Sequence, residues 1–181
     1  MTIDRSEADA MLADIEAITR RVKQSSVYRT SSLVLILWGL VVAAGNVAGF
    51  FDGRWAGYSW VAVDLIGVIG TIAILGRAGG SGAVSGRLIA GFALFFAFGF
   101  AWSQLLGRFG PRELDAFWPS LFLFGYALAG LWLGRAFTLL GVGLTALVLA
   151  GYFWAGEAFD LYLAAVNGGG LILSGLWMRR A

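Results

Sequence analysis

Six apolar runs, near 31–51, 57–76, 87–107, 115–134, 136–156 and 159–178, divide the chain after residue 30. Each approaches the roughly 20 residues that carry a helix across a bilayer core. The junctions between them are short and rich in Gly and charge: Asp52-Gly-Arg-Trp, Arg77-Ala-Gly-Gly-Ser-Gly, Arg108-Phe-Gly-Pro-Arg-Glu, and the single Arg135. Such connections force neighbouring spans to run antiparallel side by side, which predicts a six-helix transmembrane bundle built from three αα-hairpins. Ahead of the bundle, Met11, Ile15, Ile18 and Val22 recur at a 4-3-4 spacing that forms one narrow stripe on a helix from Ser6 to Gln24. Acidic residues lead that helix and Arg20, Arg21 and Lys23 close it, in line with the helix dipole. The chain therefore divides into an N-terminal helix with its linker over 1–30 and the bundle over 31–181.

Composition fixes the environment of these helices. Of 181 residues 59% are hydrophobic and 13% charged, a balance that indicates an all-α polytopic membrane protein. A net charge of +2 is too small for direct nucleic-acid binding. With no Cys and no His, thiolate nucleophiles, imidazole bases, ordinary zinc sites and His-ligated haem are excluded, and no cofactor is expected. The first residues are acidic, so no cleavable signal is expected. Arg5, Arg20, Arg21, Lys23, Arg29, Arg77, Arg87, Arg135, Arg179 and Arg180 gather on one side of the six spans, against Arg54, Arg108 and Arg112 on the other. By the positive-inside rule both termini are expected in the cytoplasm.

One acidic residue, Asp64, lies deep within an apolar run. Insertion scales put the penalty for such a carboxylate at about 2.5–3.5 kcal/mol, so it is expected to face protein or a water-filled cavity. Counted at 1.5 Å per residue from the outer span ends, Asp64, Asn46 and Asn167 fall about 9, 8 and 10 Å deep. Each has small or hydroxylic neighbours at helical spacing: Gly67 and Thr71 beside Asp64, Gly39 and Gly49 beside Asn46, Gly170 and Ser174 beside Asn167. The three predict one inward-facing polar layer in the outer half, with Gln104 nearer the surface and Trp60, Trp102, Trp118, Tyr126, Tyr152 and Trp154 as aromatic walls. Two uses of that layer compete. Asn46 and Asn167 lock the bundle by hydrogen bonds to Asp64, or the layer lines a pocket for a small hydrophobic or aromatic ligand. The pocket is the preferred reading, because Asn or Ser would lock helices at a smaller penalty than Asp.

The segment Ala13-Asp-Ile-Glu-Ala-Ile-Thr-Arg-Arg-Val22, followed by Leu35-Ile-Leu-Trp-Gly-Leu-Val-Val-Ala-Ala-Gly-Asn46, resembles small six-span proteins of the bacterial inner membrane encoded beside a winged-helix transcriptional regulator. That resemblance implies a membrane partner that controls or sequesters a cytosolic regulator, and supplies no catalytic residues. The stripe Met11, Ile15, Ile18 and Val22 suits docking on such a partner, or pairing with a second copy in a homo-oligomer; the residues leave both open. The expectation is a membrane sensor that binds its ligand around Asp64 and signals through residues 6–24. The alternative is a small-solute transporter, proton-coupled through Asp64. An enzyme is not expected, since no second acid, base or nucleophile stands level with Asp64.

Overall fold

The structure is a computed structural model that describes residues 5–51, 56–77 and 82–180, with the side chains of 16–27 and a few others at the helix starts outside the described set. All of it is helical apart from short connections. Helix α1 runs from Arg5 to Phe51, α2 from Ala56 to Arg77, α3 from Gly82 to Phe100, α4 from Pro111 to Leu133 and α5 from Arg135 to Trp154. After a 3-10 turn, the last span comprises α6 (Phe159–Leu163), a π-helical turn (Ala164–Gly168) and α7 (Gly169–Met178). Five spans are long and apolar enough to cross a membrane: Tyr28–Phe51, Gly57–Arg77, Pro111–Leu133, Arg135–Trp154 and Gly156–Met178. The third expected span is represented by a shorter apolar helix, Ala90–Leu106, because α3 begins with the Gly-, Ser- and Arg-containing stretch Gly82–Arg87 and ends in a π-helical turn at Ala101–Leu106.

The helix expected over 6–24 and the first span are one element. No Gly or Pro interrupts the chain before Gly39, so nothing stops the helix at the serines and threonines of 25–32, and α1 extends for 47 residues. At 1.5 Å per residue that is about 70 Å, roughly twice a bilayer core. Of the stripe expected on its N-terminal part, Met11 and Ile15 are more than half exposed, while Ile18 and Val22 lie outside the described residues.

The closest helix pairs are α4 with α5, α1 with α7, and α1 with α2, so the packing does not single out the three expected hairpins. Where backbones approach, small residues make room. On α1, Gly39 faces the Gly168 carbonyl and Ile172; on the last span, Gly168 faces Ala43 and Gly175 faces Ser32 and Ile36. This antiparallel register sets the end of α7 beside the start of the apolar part of α1. We call that end of the bundle proximal, and the end near Phe51 and Trp154 distal. Between α4 and α5, Gly130 lies against Thr138 and Gly141 against Leu123 and Ala127. Gly134 alone joins the two helices, with φ 128° and ψ 155°, a conformation that strains any residue with a Cβ. Large residues fill the spaces left by glycine on α1 and α2: the Trp60 ring covers Gly45, Trp38 covers Gly67 and Leu37 covers Gly70. Helix α3 is different. It reaches α4 mainly through rings, with Phe92, Phe95 and Phe96 each 5.3–6.2 Å from Phe122, and it makes little close backbone contact with α2. The looseness of α3 leaves a space in the proximal half.

Candidate functional site

That space is a cavity of about 400 Å³ bounded by α1, α2, α3, α4 and the first turn of α5. Trp38 fixes its α1 wall. The indole lies over Gly67, where a Cβ would stand 3.1 Å from the ring, and its Nε1–H donates to Thr71 Oγ1 at 3.0 Å. The Thr71 hydroxyl in turn donates to the Gly67 carbonyl of its own helix at 2.7 Å, so both polar groups are satisfied within an apolar wall. Trp38 stacks on Phe92 of α3 at 5.8 Å and 20°, and Phe92 meets Phe122 of α4 at 5.8 Å. Each aromatic pair adds about 0.5–1.5 kcal/mol beyond its buried area, which holds α3 to the bundle by side chains.

Small residues keep the centre open. A Cβ at Gly91 would meet nothing within 4 Å, whereas one at Gly125 would touch the Phe95 ring at 3.2 Å. Phe137, seated edge-on against Tyr28 at 5.9 Å, borders the cavity near its proximal end. The wall is almost wholly apolar. Its polar exceptions are Thr30 and Ser31 on α1, Arg87 on α3, Tyr126 on α4 and the satisfied Trp38–Thr71 pair. Arg87 is exposed on the first turns of α3. Neither Arg87 nor the Tyr126 hydroxyl has a hydrogen-bond or ion-pair partner among the described residues.

The expected layer resolves differently. Asn46 and Asn167 are 3% and 2% exposed and sit in the seam between α1 and the last span. Asn46 donates to the Val42 carbonyl at 2.8 Å, and Asn167, within the π-helical turn, keeps an Oδ1 without a partner. Asp64 lies on the packing face of α2, half-buried, one turn distal of the cavity residue Val68. It has no hydrogen-bond or ion-pair partner among the described residues. The contacts of Gly45 with Trp60 and of Gly67 with Trp38 set Asn46 about one helical turn distal of Asp64, and close backbone packing takes up the space beside the two amides. Trp60 covers Gly45, Trp118 belongs to the ring cluster with Phe96 and Phe122, and Gln104, Trp102 and Trp154 are exposed on the outside of the bundle. Tyr152 belongs to a distal polar cluster, where its hydroxyl lies 3.3 Å from Glu113 Oε1. Of the residues expected from the sequence to bind a ligand, Tyr126 is the one that lines the cavity. Trp38, Arg87, Phe92 and Phe137 are among the wall residues that the sequence pattern does not mark.

An unpaired carboxylate on an apolar helix carries its desolvation penalty without return. Asp64→Asn is therefore expected to leave the bundle folded, with stability unchanged or raised by up to about 2 kcal/mol in thermal unfolding of the purified protein. A clear loss of stability would reveal a partner for the carboxylate.

No family model, curated protein or solved structure matches the chain.

Proposed function

We propose that the chain is a ligand-responsive membrane sensor, in which a small, largely apolar molecule occupies the cavity between α1 and α4 and α1 conveys its presence to a cytosolic partner protein. The observation that carries this reading is the continuity of α1. Thr30, Ser31, Val34 and Trp38 form one wall of the cavity, and the same unbroken helix extends outward to Arg5. A ligand that parts Trp38 from Phe92 displaces α1 as a rod, and shifts of about 1–2 Å are the usual scale for such helix movements. Placing the extension in the cytoplasm of a bacterial cell rests on the distribution of Lys and Arg and on the resemblance of the N-terminal quarter. A transporter reading draws on one observation, the unpaired Asp64, which lies distal of the cavity.

Filling the cavity by substitution tests the coupling without knowledge of the natural ligand. A phenylalanine at Gly91 enters open space. The chain has no Cys, so spin labels can be placed specifically through Met11→Cys and Arg179→Cys, both exposed positions. Gly91→Phe is expected to move the label-to-label distance distribution by at least about 1–2 Å, and Ser26→Pro, which breaks the helix between cavity and extension, is expected to abolish that response. An unchanged distribution in Gly91→Phe overturns the sensor reading. Solute flux into proteoliposomes that persists without residues 1–24 and vanishes in Asp64→Asn would establish the transporter in its place.

A further inference from the structure

We propose that the occupant of the cavity is a single-chain anionic amphiphile drawn from the bilayer, a long-chain carboxylic acid whose tail lies among the rings and whose carboxylate pairs with Arg87. This rests on the reading of the cavity as a ligand site and adds the chemical class of the ligand.

Three observations converge on it. The first is the separation of polarity. The deep wall is made of Trp38, Phe92, Phe122, Tyr126 and aliphatic side chains, and its indole N–H is already used by Thr71, so apart from the Tyr126 hydroxyl it offers a tail apolar contact with little demand for hydrogen bonds. The remaining polar lining groups lie at the proximal end, Arg87 on α3 and Thr30 and Ser31 on α1. The second is the state of Arg87. A guanidinium stays protonated at any physiological pH and presents a planar set of donors that matches a carboxylate. No carboxylate among the described residues pairs with it, so its natural complement comes from outside the described chain. The third is access. Helices α2 and α3 make little close contact, and their cavity-lining residues Ile72, Leu75 and Gly91 border that gap. The outer faces of both helices are exposed and apolar, as at Ile69, Leu94 and Phe98. A ligand already dissolved in the membrane reaches the cavity sideways through apolar surroundings, with its head held at the level of the charged helix ends. The volume of about 400 Å³ falls within the range of about 300–1,000 Å³ that small-molecule sites occupy.

The test uses Trp38 as the reporter. The full-length protein is placed in nanodiscs of zwitterionic lipid at alkaline pH, where the acid is ionised. Dibromostearic acid is titrated against the matching dibromo fatty alcohol and a dibromo-chain phosphatidylcholine, each at equal mole fraction. The emission component lost in Trp38→Phe isolates quenching at the cavity wall from that of the lipid-facing tryptophans. The acid is expected to quench Trp38 saturably and at a mole fraction at least about ten times lower than the alcohol. Removing one charge-assisted contact weakens binding by roughly ten- to a hundredfold, so Arg87→Gln is expected to bring the acid down to the level of the alcohol. Arg179→Gln, which removes an exposed charge outside the cavity lining at the same end of the bundle, is expected to leave the acid unaffected. Equal quenching by acid and alcohol, or a loss of acid binding in Arg179→Gln as large as in Arg87→Gln, overturns the assignment of the head group while the cavity remains a ligand site. Preferential quenching by the phosphatidylcholine replaces the free acid with a membrane lipid and also overturns it. If no probe quenches Trp38 in a manner that Gly91→Phe abolishes, the cavity takes no amphiphile and the underlying ligand-site reading fails with it.

Discussion

Gly141→Val is expected to take apart the closest helix pair in the bundle. A Cβ at Gly141 points at the Leu123 carbonyl and the Ala127 backbone nitrogen, neither of which can rotate away as a side chain could. Association of helices in lipid depends on close van der Waals packing, since apolar surface gains little by leaving one apolar medium for another. A branched residue at the point of nearest approach must therefore push α4 and α5 apart along much of their length. Overpacking of this kind takes about 1–3 kcal/mol in ordinary cores, and the backbone neighbours place this site at or above the upper end. The helix contains its own control. Gly143, two residues on, is exposed and faces open space, so Gly143→Val is expected to change stability by no more than about 0.5 kcal/mol. Thermal unfolding of the two purified variants makes the comparison; equal losses would show that α4 and α5 do not approach as closely as described.

The second large effect is expected at Arg112. Its guanidinium donates to the carbonyls of Tyr152 and Gly156, both at 2.7 Å, and stands 5.5 and 5.1 Å from the ring centroids of Tyr152 and Phe159. Carbonyls at a helix C-terminus have no partner within the helix, and a cation placed there also meets the negative end of the dipole. One side chain from the start of α4 thus closes the end of α5 and fixes the turn into α6. Arg112→Met keeps the apolar stem and removes every one of these contacts. The expected loss is roughly 2–3 kcal/mol, below the sum of two charge-assisted bonds because one of them is exposed. Arg112→Lys is expected to restore less than half of it, since an ammonium cannot span two carbonyls in a fixed fork or stack as a planar group. Hydrogen exchange should localise the change to the amides of Gly156–Phe159; protection there equal to wild type would exclude the capping role.

The spans are legible in the sequence because a bilayer demands long apolar runs, and Gly and charged residues mark where each run stops. The uninterrupted α1 is legible too, in the absence of Gly and Pro before Gly39, but the polar residues of 25–32 read equally well as a linker. Polarity does not end a helix; an unfavourable backbone does. The candidate site is harder to read. Depth along a helix can be counted from its ends, which is how Asp64, Asn46 and Asn167 are expected in one layer, whereas the packing of α2 on α1 sets Asn46 about a turn away from Asp64. Rotation about the axis depends on the partner helix, and it turns the two amides into the tight seam around Gly168 and Ala43. The cavity arises from what is missing, namely side chains at Gly91 and Gly125 opposite a wall of rings, and a missing side chain in one helix acquires meaning only when the facing helix is known.

The junction at Gly134 bears on how the chain enters the membrane. With one residue between α4 and α5, no connecting segment exists that could wait in water while one helix crosses and the other follows. In a bilayer such a junction would favour entry of α4 and α5 as one hairpin whose polar backbone groups are already paired. Arg135 stands at the tip of that hairpin, and any preference of its charge for one face of a membrane would act on both helices together.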